Sequence, residues 1–246
     1  MKTYKTPESN PVLNRTSNGI EDICFTDEDK ANCLNDYFIS VSTIDDANST
    51  LPPFERKIVS SLDTIHIERS DNGDIIACLD INKAVRPDLI SHTVLKHIRL
   101  SISKPMFMLF NKSLNAGIFP SKWKSAFVMP LYKKGDKHCP GNYRPVSLLS
   151  CLGKLMERCV YKHIYNYLIS NKLIYEKQAG FLTGHSTVFQ LIDIYHQIAQ
   201  SFDSKLQTCV IVCDISKSFD RVCHKGLLFK LQQVGIEGQH FDWVSN

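Results

Sequence analysis

The run Cys209-Val-Ile-Val-Cys213, followed by Asp214-Ile-Ser-Lys-Ser-Phe219-Asp220, decides how this chain is read. Five consecutive apolar side chains are the pattern of a strand buried on both faces, with cysteine serving as a small hydrophobe. A carboxylate at the tip of such a strand is costly unless it has a partner, and a metal ion is one. Asp214 stands at that tip, and Asp220 follows six residues later with Phe219 beside it. Aspartates in this setting suit Mg2+ and phosphoryl or nucleotidyl transfer. An aspartate here would equally suit the cap of a following helix.

Upstream of that run the periodicity changes twice. Ala126-Phe-Val-Met-Pro-Leu-Tyr132 and Tyr143-Arg-Pro-Val-Ser-Leu-Leu149 are strand-like, and Gly135 to Asn142 between them is turn chemistry, so a hairpin is predicted. Lys133 and Lys134 end its first strand and Arg144 begins its second. Pairing would gather these cations into a clamp for a triphosphate or a nucleic-acid backbone. Leu152 to Ile169 then follows the 3.6-residue period, with Leu155, Met156, Cys159, Val160 and Ile164 among its apolar face. Gln178 to Ser186 is turn-rich, and its two glycines flanking Phe181 permit close approach of backbone to a phosphate. A second amphipathic helix starts near Thr187, which forms a capping box with Gln190; Val188, Leu191, Ile192, Tyr195, Ile198, Ala199 and Phe202 are its predicted buried stripe. Leu227 to Val234 reads as a last helix, stopped by Gly235.

The first half is mainly helical. Asp88 to Ile98 is an amphipathic helix starting just after Pro87, and Pro105 to Leu114 is a further one, ended by Asn115-Ala-Gly117. Residues 1–70 are polar and acidic and read as a loosely attached leader, with one helical stretch from Glu28 to Val41 whose face holds Leu34, Tyr37, Phe38 and Val41.

Charge is unevenly spread. Residues 1–80 carry 7 Lys/Arg against 15 Asp/Glu, whereas residues 121–180 carry 11 against 3, so the basic middle points to a polyanion partner. Lys122, Lys124 and Lys137 belong to that middle and are candidate nucleic-acid contacts. Hydrophobic residues make up 43% of the 246, enough for a sizeable core. The nine cysteines are scattered with no metal-ligand spacing, which fits reduced thiols inside a cell. Met1 to Asn10 lacks the apolar segment of a secretory signal, and no apolar run is long enough to span a bilayer. An intracellular, non-membrane protein of the nucleus or cytoplasm is expected.

Taken in order, the blocks are specific. Trp123-Lys, Pro130-Leu-Tyr-Lys-Lys-Gly135, Asn142-Tyr-Arg-Pro-Val-Ser147, Gly153-Lys-Leu-Met-Glu-Arg158, Gln178-Ala-Gly-Phe181 with Gly184-His-Ser-Thr187, Asp214-Ile-Ser-Lys-Ser-Phe-Asp220 and His224-Lys-Gly-Leu-Leu228 resemble the reverse transcriptases of non-LTR retrotransposons. The likeness covers about residues 75–246. Lys83-Ala-Val-Arg-Pro-Asp88 looks like that family's Lys-Ala-x-Gly-Pro-Asp block, with Arg86 where glycine is usual. Arginine adopts positive φ reluctantly, so the turn there departs from the family's geometry. The run from Asp214 through His224 favours this branch over group II intron maturases and telomerase.

The resemblance implies an α+β right-hand polymerase: an N-terminal helical extension over 71–125, fingers over 126–207 and the opening of the palm over 208–246. It implies that Asp214 is a catalytic aspartate and Mg2+ ligand, that Phe219 screens the sugar 2′ position, and that Lys133, Lys134 and Arg144 lie where the incoming nucleotide's phosphates are held; it does not choose between the two lysines. RNA template, DNA primer and dNTPs are the implied partners, and the oligomeric state is left open. The family's aromatic-x-Asp-Asp block has no counterpart after Asp214 in the 246 residues; the sole Asp-Asp pair, Asp45-Asp46, lies in the acidic leader without a strand pattern. The expectation is a partial copy of the polymerase, inactive alone; the alternative is a non-catalytic RNA-binding remnant.

Overall fold

In a computed structural model, which describes residues 11–17, 20–44, 50–51, 53–54, 60–82 and 87–246, two small antiparallel hairpins are set among helices. The elements in chain order are β1 (Leu13–Ser17), β2 (Ile20–Cys24), α1 (Asp27–Ser42), α2 (Arg69–Ala77), α3 (His92–His97), α4 (Arg99–Asn115), β3 (Ala126–Tyr132), β4 (Tyr143–Leu149), α5 (Cys151–Ser170), α6 (Thr187–Asp203), α7 (His224–Gln233) and α8 (Gly238–Ser245). Helix and strand are thus mixed, as an α+β reading requires. Among the described residues no helix is long and apolar enough to cross a membrane.

Helix α5 packs on α2 and lends one face to the main core. Its face is the one the 3.6-residue period marks: Leu155, Met156, Cys159 and Val160 are buried with Ile76 and Leu79 near α2, Phe110 and Leu114 of α4, and Trp243 of α8. Burial this complete pushes the Cys159 thiol up to about 12, so it packs as a neutral side chain. Gly153 permits a close approach: a Cβ there would lie 3.0 Å from Cβ of Trp123, whose ring meets Phe110 edge-to-face. Lys162 ties α5 to α2 through Asp71 at 2.6 Å. Burial raises the Asp71 pKa, but the Lys162 ammonium and the Glu68 N–H outweigh it and leave the carboxyl below its ordinary range.

The start of α5 is fixed from a distance. Ser150 caps the helix by accepting from Gly153 N at 3.2 Å, and its own hydroxyl donates to Asp88 Oδ2 at 2.8 Å. The same carboxylate oxygen accepts from Cys151 N at 2.6 Å. A carboxylate at a helix N-terminus satisfies orphan N–H groups and faces the positive end of the helix dipole. Asp88 is therefore not the start of its own helix, as the sequence suggests; α3 begins at His92, with Ser91 accepting from Val94 N at 3.2 Å.

The second hairpin pairs Ala126↔Leu149 through Tyr132↔Tyr143. Lys133 N donates to Asn142 O at 2.9 Å, which marks that pair as hydrogen-bonded. Pairs alternate along an antiparallel ladder, so Pro130 opposite Pro145 falls where no N–H is required.

Three expectations are corrected. Cys209 to Cys213 forms no strand; Val210 and Val212 are 58% and 87% exposed, because no described strand lies alongside to accept their backbone groups. The stripe of α6 is not buried either: Val188, Leu191, Ile192, Tyr195 and Phe202 are all exposed. Its periodicity makes a helix, but no described element covers its face. Thirdly, residues 13–42 are attached more firmly than a loose leader. Leu13, Cys24, Cys33 and Leu34 form a second cluster with Tyr143 of β4, and Asn14 N donates to His138 O at 2.8 Å. Their few apolar groups, hidden in polar sequence, converge on one tyrosine. Asp45-Asp46 and Lys83 to Arg86 lie outside the described residues.

Removing the Asp88 carboxylate takes away the acceptor shared by Ser150 Oγ, Cys151 N and Leu152 N at the start of α5. Asp88→Ala is expected to cost roughly 1–3 kcal/mol, and Asp88→Asn less, read as the shift in urea midpoint at constant slope.

Candidate functional site

Side chains alternate faces along a strand. With Lys133 opposite Asn142 and Leu131 opposite Arg144, Lys133 and Arg144 project from one face of the hairpin as diagonal neighbours. Lys134 lies in the bend beyond the ladder and does not line the cleft that this face borders. Sequence alone offered no choice between the two lysines; the register brings Lys133 together with Arg144.

Opposite that face lies the segment from Asp214 to Asp220. It is a turn rather than the tip of a paired strand: the N–H groups of Asp220 and Arg221 donate to Lys217 O at 3.0 and 3.1 Å, and Lys217 has φ +53°. Between the hairpin and this turn is a cleft of about 610 Å³. Lys133, Arg144, Asp214, Phe219 and Asp220 all line it, together with Tyr143 and, from α1, Tyr37 and Phe38. Phe219 is 77% exposed, so it is not a core side chain; its ring meets Phe181 edge-to-face at 5.8 Å. That contact joins the Gly180-Phe-Leu-Thr-Gly184 turn to the cleft. The glycines of that turn make no close approach, since a Cβ at either would meet nothing.

The cleft wall is electrostatically simple. Burial pushes the Tyr143 phenol up, with Tyr132 and Asp136 adding to the effect, so it stays a neutral donor and its hydroxyl is spent on Lys137 O at 2.7 Å. Among the described residues neither Lys133 nor Arg144 has a carboxylate partner within ion-pair distance, which leaves both charges to an incoming anion. Lys122, Lys124 and Lys137 do not line the cleft. Lys124 Nζ is held by Asn246, 2.6 Å from its backbone oxygen, Lys137 lies 5.7 Å from the Tyr132 ring centroid, and Lys122 is exposed on the short turn Ser121–Trp123.

Asp214 and Asp220 are oxygen donors of the kind Mg2+ takes. That ion is commonly held by one or two carboxylates, with water and substrate phosphates completing the octahedron. No group of three His, Cys, Asp or Glu side chains gathers for a metal among the described residues; the cleft offers the oxygen donors of Asp214 and Asp220.

Residues 132–246 match the family model described as reverse transcriptase (RNA-dependent DNA polymerase). The chain is 29% identical over 215 residues to a probable RNA-directed DNA polymerase from transposon BS of Drosophila melanogaster, covering 85% of this chain and 24% of that protein. It is 32% identical over 167 residues to the corresponding protein from transposon X-element of the same fly, covering 68% and 18%. For the RNA-directed DNA polymerase from mobile element jockey the figures are 31% over 183 residues, 74% and 20%. The chain belongs to the reverse transcriptases of non-LTR retrotransposons. It spans at most 24% of the length of these three relatives. The family match begins at Tyr132, so it holds the hairpin loop, β4 and the Asp214–Asp220 turn, whereas β3 up to Leu131 and the cleft residues Tyr37, Phe38, Val41 and Ser42 lie upstream of it. Sequence reading took that face of α1 for an ordinary apolar stripe. Nothing local distinguishes it, since its partner lies some 180 positions away.

The register has a direct consequence for binding. For a polyphosphate anion offered to the cleft, Lys133→Met is expected to weaken binding roughly tenfold, the worth of one charge-assisted contact, while Lys134→Met leaves it near wild type; titration calorimetry of the two variants checks this.

Proposed function

We propose that this chain supplies the nucleotide-binding cleft of an RNA-directed DNA polymerase. The observation that carries the reading is the convergence of Lys133, Arg144, Asp214, Phe219 and Asp220 on one cleft from two segments far apart in sequence. In this reading residues 71–125 are the N-terminal helical extension, 126–207 the fingers and 208–246 the opening of the palm, preceded by the acidic segment 1–70.

The substrates are a dNTP and a DNA primer on an RNA template. Lys133 and Arg144 hold the triphosphate from the hairpin side, where two cations offset its charge and orient it. The primer 3′-OH attacks the α-phosphate and pyrophosphate leaves. Asp214, with Asp220 nearby, would hold Mg2+, which when bound neutralises charge on the phosphates. Phe219 offers an apolar ring at the rim. A ribose 2′-OH placed against it would lose hydration without gaining a partner, which disfavours ribonucleotides. Lys122, Lys124 and Lys137 sit in the basic middle and would contact template phosphate at the surface, with an affinity that falls as salt rises.

Two-ion chemistry needs carboxylates that bracket both ions, more than Asp214 and Asp220 supply. The 246-residue chain by itself is therefore expected to bind dATP in a Mg2+-enhanced manner without extending a primer. Asp214→Asn should abolish the Mg2+ enhancement; binding whose Mg2+ dependence survives that substitution contradicts the assignment. Primer extension above the Asp214→Asn background would contradict the division between binding and catalysis.

Phe219→Val is expected to shift the ratio of dATP to ATP affinity roughly tenfold toward ATP. An equal change for both nucleotides would show that the ring does no discrimination.

A further inference from the structure

A third cation lines the cleft, and the reading above gives it no task. Lys217 lies midway along the Asp214–Asp220 turn, at φ +53°, its carbonyl accepting from Asp220 N and Arg221 N. Its side chain is held by Tyr37 of α1. The Lys217 ammonium donates to Tyr37 Oη at 2.5 Å and sits 4.7 Å from the centroid of the same ring. Tyr37 also lies beside the hairpin turn. Its hydroxyl would be 3.3 Å from a Cβ at Gly141, so the bare backbone of the hairpin turn makes the room it occupies. One side chain thus spans the cleft from the hairpin to the turn.

The chemistry of this contact matters more than its strength. A lysine anchored by Asp or Glu would have its charge cancelled. A tyrosine hydroxyl and ring orient an ammonium and leave its charge intact. Lys217 has three N–H donors and spends one on Tyr37. Among the described residues it makes no ion pair. With Lys133 and Arg144 on the facing hairpin, the cleft carries three cations that form no ion pair among the described residues, beside the carboxylates of Asp214 and Asp220.

We propose that Lys217 is a third phosphate-binding residue of the cleft, acting on the polyphosphate of an incoming nucleotide, and that Tyr37 is the residue that positions it. The inference rests on reading the cleft as a nucleotide site. It extends that site to α1, so residues upstream of the family-matched segment set the geometry of phosphate binding.

The test is calorimetric titration of the full 246-residue chain with inorganic tripolyphosphate in Mg2+-free buffer at fixed salt, which isolates the cations. Lys133→Met and Lys217→Met are each expected to weaken binding about tenfold, and Lys217→Arg to stay within about twofold of wild type. Tyr37→Phe, which keeps the ring and removes the hydroxyl, should weaken binding about threefold without moving the thermal unfolding midpoint. Weakening by Lys133→Met with no effect of Lys217→Met overturns this proposal and leaves the nucleotide site standing. No effect of either overturns the nucleotide site itself. Loss with Lys217→Met and none with Tyr37→Phe overturns the positioning role. If Lys217→Met fails to fold by circular dichroism, Lys217→Gln takes its place with the same two outcomes.

Discussion

The carboxylate of Asp88 at the N-terminus of α5 is the contact on which the placement of everything else depends. It accepts from the Ser150 hydroxyl and from Cys151 N, and Ser150 in turn caps the helix. β4 ends at Leu149, directly before this cap, so whatever fixes the start of α5 also fixes where the hairpin leaves the core. Within α5 itself, Gly153 against Trp123 and Lys162 against Asp71 set the rotation and tilt of the helix on α2 and α4. The hairpin is then a rigid lever. Its far end carries Lys133 and Arg144, and their common face is set by a register that has Pro130 and Pro145 in its only tolerable position.

The cleft that results is assembled from three parts of the chain with different charge. The hairpin gives cations, the turn at Asp214–Asp220 gives carboxylates with one lysine between them, and α1 gives aromatic rings. Carboxylates and lysines in one cavity would cancel each other if they met. They do not: Lys217 is turned onto Tyr37, and Asp214 and Asp220 remain available to a cation. A site that separates its positive and negative groups this way is suited to a ligand that brings both signs, such as a nucleotide triphosphate with its metal ion.

Much of this was legible in the residues. The hairpin strands fall where alternation and turn residues put them, and α5 extends the predicted Leu152 to Ile169 by one residue at each end, because its period is sustained over five turns. Lys133, Arg144, Asp214 and Phe219 line one cleft, and what singles them out in the sequence, with Lys134, is family likeness and not a local rule. What was not legible depends on partners. Cys209 to Cys213 has the composition of a buried strand, but composition does not provide a neighbouring strand, and it stays exposed. The apolar stripe of α6 tells the same story. The β1–β2 hairpin escaped notice because Leu13-Asn-Arg-Thr-Ser17 and Ile20-Glu-Asp-Ile-Cys24 are largely polar, and its stability comes from Tyr143 more than a hundred positions on. Tyr37 reads locally as one more apolar residue of a helix face; its pairing with Lys217 is purely tertiary.

The central claim, that the nucleotide and its metal ion occupy the cleft between the hairpin and the Asp214 turn, is tested most directly by paramagnetic broadening. Mn2+ replaces Mg2+ on hard oxygen donors and broadens amide signals near it in a 15N-labelled sample. Titrating Mn2+ in the presence of dATP is expected to broaden residues 214–220 first and residues 141–144 next, while the acidic first turn of α1 at Asp27, Glu28 and Asp29 keeps its signals. Broadening centred on that acidic turn, with 214–220 unaffected, would contradict the account.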